Sequence, residues 1–446
     1  MTSIELPARQ VPVVHEADVL VIGGGLAGVV AAVAAARQGA RVALVERYGV
    51  LGGMATTALI GPIAGVRTRN GEYRAIGGIA WEVILRLHRH GGALLEPGYG
   101  DVPCDPETVK WVADSMASEA GVDLFLHTLA VDVVHEQGTL AAVVVENKAG
   151  RQALSATVFV DASGDADIAA RTGVPFECGR AGDGALQPMS LTFRLGGVDT
   201  ARLGDIGRPY IDAEIRRLAE AHVAAGKLPV FGGPWTCKGS TFRPGELYIN
   251  MVRLWGDATD PAVLTRNEVT GRAHLQRFVA FLKEDVPAFA NCYLIDSGTQ
   301  IGIRETRRIR GEYQLTADDI RAGRQFADSI ALGEHSIDIH SPAGTHAQVL
   351  ERLRPYQIPY RCLLPLEVDN LLVAGRPISA THEAHASLRV MGTCMATGEA
   401  AGTAAALAAR GDGNPRHVDV RGLRQALARQ GALLDEPSAD WLPSSG

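Results

Sequence analysis

Hydrophobic and polar positions change period several times along this chain. Residues 17 to 22, ADVLVI, form an apolar run that predicts a strand, and the following LAGVVAAVAAARQG predicts a helix closed by Gly39. RVALV predicts a second strand that runs out at Glu46, 23 residues after Gly23. Ile79, Val83, Ile84 and Leu87 mark a helix at 78–90, and a second is expected at 106–120, with Asp105 as cap and Pro106 at its first position. From 123 the pattern turns to strands: DLFLHTLAVDVVHEQ, TLAAVVVENKAG after a turn at Gln137 and Gly138, and ATVFVDASGD. These predict a small antiparallel meander that returns to a parallel sheet.

Residues 185–355 differ in texture. PMSLTFRLGG alternates through Met189, Leu191, Phe193 and Leu195, and GELYINMVRL through Leu247, Ile249 and Met251. Helical patterns lie near 209–225 and 271–285, the latter through Leu275, Phe278, Val279 and Leu282. FGGPWTCKGSTFRPG at 231–245 reads either as a pocket-lining loop carrying Trp235 or as a plain connector. Near the end come an apolar strand from Leu371 to Ala374, Gly375, a polar crossing, and an alanine-rich helix starting near Gly392. There is no internal repeat and no low-complexity segment.

Gly23, Gly25 and Gly28 meet the pattern GxGxxG between a strand and a helix. Gly23 permits the tight turn, Gly25 lets the backbone approach a pyrophosphate, Gly28 lets helix pack on strand, and Glu46 can accept ribose hydroxyls. Such a unit holds either NAD or FAD. Gly179, Gly182 and Gly184 repeat the glycines with no strand expected before them, so a second dinucleotide unit is not evident.

The segment RYGVLGGMATT, with Gly52 and Gly53, resembles FAD-dependent oxidoreductases of the glutathione-reductase and fumarate-reductase superfamily, which continue with a GG segment along the flavin. VFVDASGD resembles the second flavin fingerprint of that superfamily. DNLLVAGRPISATHEAHASLRVMGTCMATGEAAG, IGIRETRRIRGEYQLT at 301–316, IDIHSP at 337–342 and IPYRCLLP at 358–365 resemble the FAD_oxidored family. The resemblance implies an α/β fold with a discontinuous Rossmann-like FAD-binding domain, 15–184 and 356–412, with a helical excursion at 60–122. It also implies an inserted mixed α+β substrate domain at 185–355, followed by a helical tail at 413–446. FAD contacts are expected at Gly23, Gly25, Leu26, Ala27, Gly28, Glu46, Arg47, Gly52, Gly53, Met54, Val133, Ala162, Ser163, Gly164, Gly375, Arg376, Gly392 and Thr393. GGMATTALIG carries neither His nor Cys, which favours noncovalent FAD, with Cys394 and His385 left open as attachment points.

Composition narrows the partners. The chain has 446 residues, 46% hydrophobic and 21% charged, and its net charge of −7 comes from 50 acidic against 43 basic residues. That balance disfavours a nucleic-acid partner. Six cysteines without a CxxC pair encode no local zinc or dithiol centre and read as reduced, mostly buried thiols. The first residues carry no signal-peptide pattern, and nowhere are there 18 consecutive uncharged apolar residues, so a cytoplasmic protein without a membrane partner is expected.

Flavin chemistry asks the protein for a bound substrate, a proton carrier and charge stabilisation. On an alternating strand Arg304, Arg308 and Arg310 would share one face and Arg307 the other with Glu305, as a substrate clamp or a solvated edge; the family segment favours Arg304 and Arg307 facing the site. His335, Asp338, His340 and His346 cluster, as do His382, Glu383 and His385, but no complete metal-ligand set appears. The IDIH match makes His340, oriented by Asp338, the first choice as acid or base, with His385 and Arg389 second. The expected reaction is hydride exchange between flavin N5 and a small polar or anionic molecule, in either direction, with electrons passing to or from substrate, oxygen, a quinone or a separate carrier. An NAD dehydrogenase and a flavoprotein RNA-modification factor are the alternatives, and the oligomeric state is not legible.

Overall fold

The computed structural model describes residues 4, 7, 8, 10–68, 71–95, 101–203, 209–237, 243–344 and 347–440, without the side chains of 209–212 and 237. His346 and the Cys237 thiol lie outside what is described. The central sheet has the order Asp123–Phe125, Val42–Val45, Val13–Ile22, Gly150–Asp161, Thr139–Asn147, Leu129–Glu136. The strand Leu371–Val373 pairs in parallel with the end of Gly150–Asp161, Leu371 opposite Phe159 and Val373 opposite Asp161. A segment near the carboxy end thus completes the sheet begun by the first residues.

The four residues of Val42–Val45 are all buried, because the strand lies inside the sheet with a strand on each side and the first helix packed on it. The first helix, Leu26–Arg37, is apolar all round and packs on the sheet and against the alanine-rich helix Met391–Ala409, which contacts the same sheet. Its approach to that helix is close: a Cβ at Gly398 would lie 2.2 Å from the Ala27 carbonyl oxygen, and one at Gly402 1.9 Å from that of Ala31.

A second core is built on a four-stranded antiparallel sheet, ordered Phe231–Cys237, Leu247–Leu254, Met189–Gly196, Tyr293–Ser297, with helices Pro209–Ala224 and Pro261–Asp285 packed on it. Its apolar cluster runs only from Met189 to Ile303. Ile309, Leu315, Ile330 and Ile358 instead join the first core.

Several elements depart from the expected pattern. DLFLHTLAVDVVHEQ breaks at His127, whose φ of 51° ends the parallel strand Asp123–Phe125 before Leu129–Glu136 begins. The helix expected from 271 starts at Pro261, capped by the Asp260 side chain on Ala262 N at 2.8 Å. The glycine-rich stretch at 231–245 opens with an edge strand, and the polar crossing after Gly375 contains the helix His382–Leu388. A short strand, Phe176–Cys178, does precede Gly179, but no helix follows it as a dinucleotide unit requires.

Candidate functional site

A cavity of about 790 Å³ opens at the carboxy ends of the parallel strands, where Gly23, Glu46, Ala162 and Ala374 follow Ile22, Val45, Asp161 and Val373. At one end lies the amino terminus of the first helix, which has no side-chain cap at Gly25 and so leaves main-chain N–H groups free for an anion. A Cβ at Gly25 would meet only Gly53 Cα, at 3.9 Å, and would otherwise project into open space. At Gly28 a Cβ would lie 1.8 Å from the Gly23 carbonyl oxygen, so that glycine serves helix packing and does not line the cavity.

Glu46 accepts from Gly24 N at 2.7 Å and Tyr48 N at 2.9 Å, which holds its carboxylate at the cavity wall. Burial raises its pKa above the ordinary carboxylate value, against the pull of those N–H groups. Asp161 accepts from Ser163 Oγ at 2.6 Å and from Ile168 and Ala169 N–H, fixing the turn that carries Ser163 and Gly164. Arg376 donates to Gly164 O at 2.9 Å, Asp165 at 2.6 Å and Ile303 O, tying three chain segments at the cavity's middle. The alanine-rich helix begins without a side-chain cap at Val390, its Gly392 N donates to Ala64 O at 2.8 Å, and Val390, Met391 and Cys394 line the cavity. Its positive end would favour negative charge on a bound group.

An elongated dinucleotide suits this wall: an open glycine turn, a helix end and a carboxylate for ribose, with a second helix end that has no side-chain cap on the same lining. Of the residues expected to hold FAD, Gly23, Gly25, Leu26, Ala27, Glu46, Arg47, Gly52, Gly53, Met54, Ala162, Ser163, Gly164, Gly375 and Arg376 line it. Val133 does not; a small side recess is lined by Leu129 and Ala130 at the start of the same strand, because the strand begins later than the sequence pattern implied. Gly392 and Thr393 also miss the cavity. A Cβ at Gly392 would lie 2.4 Å from Gly65 O, and Thr393 is fully buried.

The opposite end gathers charge. Arg253, Arg304 and Arg389 line it together with Asp338, His340, His335, Trp235, Tyr248, Asn250 and Ser190. Arg304 donates to Pro188 O and to Ser190 Oγ, and Arg389 to Asp338 Oδ2 at 3.3 Å. Burial, and then repulsion from Arg253 and Arg389, drives the Arg304 pKa well below its usual value, and burial lowers Arg253 to about 10. His340 Nε2 lies 3.3 Å from Asp338 Oδ2, and the ring stands edge-on to Trp235 at 5.3 Å. Burial, and next the Arg304 charge, lowers the His340 pKa to about 3, so the imidazole is neutral. Burial pushes Asp338 up, but His340, His335 and Arg389 outweigh it and keep Asp338 ionised. With Nε2 facing that carboxylate, Nδ1 carries the imidazole lone pair.

His385 is not at this site. It is fully buried in the helix His382–Leu388 and does not line the cavity, because that stretch coils away from the ring-facing position an extended crossing would have given it. The arginine-rich segment is extended only over Arg307–Ile309, so the expected alternation fails. Arg307 bonds Asp165 O and Asp167, both at 3.0 Å; Arg308 is buried against Glu305; and Arg310 pairs with Glu177. Glu305 also faces His382 Nδ1 at 2.8 Å. Among the described residues no group of three His, Cys, Asp or Glu side chains is placed to hold a metal ion.

Sequence reasoning missed Arg253, Ser190, Tyr248 and Asn250. Their signal was present: they occupy the positions between the core residues of two alternating strands, and both faces of Met189–Gly196 are buried.

The sequence matches the family model described as FAD dependent oxidoreductase over residues 18–427. It is 44% identical over 69 residues to aklavinone 12-hydroxylase of Streptomyces peucetius, a match spanning 16% of this chain and 13% of that relative's length. A geranylgeranyl bacteriochlorophyll reductase-like protein of Thermoplasma acidophilum superposes with a TM-score of 0.47 at 14% identity, covering 94% of this chain and 84% of that one. For p-nitrophenol 4-monooxygenase of Pseudomonas putida the TM-score is 0.44 at 12% identity, covering 93% and 84%. With the family model spanning nearly the whole chain and the cavity wall suited to the dinucleotide, the protein belongs to the FAD dependent oxidoreductase family and is an FAD enzyme.

Proposed function

We propose that this enzyme exchanges a hydride with a small organic anion held at the arginine-rich end of the cavity. The observation that carries the reading is the convergence of Arg253, Arg304 and Arg389 on one buried wall. Burial disfavours all three charges, and repulsion within the trio adds to it at Arg304 and Arg253; a bound carboxylate would relieve both penalties while accepting charge-assisted hydrogen bonds. When bound, FAD supplies a flavin N5 able to take or give a hydride. The chain's own task is to seat the substrate and to manage one proton. His340, neutral and braced by Asp338, offers Nδ1 as a proton acceptor once a bound anion offsets the Arg304 charge that, after burial, holds its basicity down, and Trp235 packs against its ring.

FAD is held noncovalently in this reading. Cys394 lines the cavity, but burial pushes its thiol up to about 12, which leaves almost no thiolate to react. The electron partner is a separate molecule, and the domain boundaries given above remain part of the proposal.

An anaerobic screen of small carboxylates for bleaching of the flavin band tests the reading. Arg304→Ala is expected to weaken the effective anion at least tenfold, about 1.4 kcal/mol, with the flavin content retained. Bleaching by neutral or cationic compounds alone, or an unchanged response in the variant, would refute it.

A further inference from the structure

Ser190 lies between the arginines, and its hydrogen bonds can be counted. It is 1% exposed, lines the cavity and is fixed by its main chain, Ser190 N donating to Gly302 O at 2.9 Å and Gly302 N to Ser190 O at 2.7 Å. Arg253 Nη1 donates to its Oγ at 2.7 Å, and Arg304 Nη2 does so at 3.2 Å. A hydroxyl has two lone pairs and one hydrogen, and a guanidinium can only donate. Both lone pairs are therefore engaged. The hydrogen has no acceptor among the described residues, and a hydroxyl that receives bonds from two cations is polarised toward giving its own proton away.

We propose that the Ser190 hydroxyl is the hydrogen-bond donor that seats the substrate, and that the substrate presents an acceptor oxygen there, as a carboxylate, keto or enolate group. An ammonium group is disfavoured at this position: it would face two guanidiniums, and as a donor only it would meet a hydroxyl with no lone pair left to accept. The proposal rests on the anion reading above and sharpens it, because it names the protein group that meets the substrate's acceptor oxygen. Ser190 belongs to neither flavin fingerprint. It is supplied by the second core, which makes it a residue through which ligand choice can vary while the cofactor site stays constant.

The test uses the FAD-loaded full chain, with benzoate, succinate and benzylamine as probes read by perturbation of the flavin absorption spectrum. Wild type is expected to respond to at least one of the two carboxylates and not to benzylamine. Ser190→Ala should weaken that carboxylate by about tenfold or more, the loss of a hydrogen bond to a charged group. Ser190→Thr, which keeps the hydroxyl, should restore binding. Ser190→Cys, which keeps an acceptor for the arginines but donates poorly, should behave as the alanine variant does. Flavin content and near-ultraviolet circular dichroism report whether each variant is folded. Carboxylate binding to Ser190→Ala or Ser190→Cys within twofold of wild type, or stronger binding of benzylamine, would overturn the proposal and leave the anion reading standing. A wild type that answers to neither carboxylate would bring down the anion reading and the serine's role with it.

Discussion

Glu399 sits inside the alanine-rich helix, 1% exposed, and accepts from the main-chain N–H of Ile79 at 2.9 Å and Ala80 at 3.3 Å. Burial pushes its pKa up to about 8 despite those donors. A carboxyl raised in the folded state contributes its stability below the unfolded value of about 4.5 and loses it as pH rises through about 8. Thermal denaturation should therefore show wild type weakening relative to Glu399→Gln between about pH 5 and 8, the variant gaining up to ~5 kcal/mol by the alkaline end of that window. Parallel curves for the two proteins would contradict this. Single residues were the least legible part of the sequence, for reasons visible at Arg304 and Arg307. Charge pattern places both in one cluster, yet one lines the cavity while the other braces Asp165 and Asp167. The choice depends on where a three-residue strand starts, and composition does not encode that. His340, which a family motif names, lines the cavity, whereas His385, turned inward by the helix His382–Leu388, does not.

Helices and strands were read more securely where burial is one-sided or complete. The glycine turn, the first helix and the strand after it follow from an apolar run, a GxGxxG turn and an alanine-rich stretch. The helix His382–Leu388 escaped because seven residues, six of them buried, display no amphipathic period. The first turns of Pro261–Asp285 escaped because apolar periodicity begins at Leu275, although Asp260 and Pro261 already spelled a cap. At this scale the contact between the first helix and the alanine-rich helix is the sharpest constraint. Gly402→Ala gains helix propensity of about 1 kcal/mol but drives a methyl to 1.9 Å from the Ala31 carbonyl. The clash should win, costing about 1–3 kcal/mol net in denaturant unfolding. Because both helices begin at the cofactor cavity, FAD affinity, followed by flavin fluorescence on dilution, should fall as well. A variant as stable as wild type would show that the helices can slide apart.

Across the whole molecule, the discontinuous plan was legible because the carboxy-terminal strand, glycine and helix repeat the logic of the amino-terminal unit. Which core the apolar segments of residues 309–363 join was not, since only tertiary packing decides it. FAD spanning both ends of the chain should couple their opening. Removing it is expected to raise hydrogen exchange together at residues 23–28 and 390–395, while Met189–Gly196 and Leu247–Leu254 change little. Exchange confined to the amino-terminal turn would mean that the two ends are independent. The pairing of Leu371–Val373 with Gly150–Asp161 also bears on how the enzyme is made. A ribosome releases the glycine turn early and the alanine-rich helix near the end, so the growing polypeptide holds half a cradle for most of its synthesis. Flavin capture then becomes a closing event of biogenesis, and cells short of the vitamin would accumulate finished but unlatched chains exposed to proteolysis.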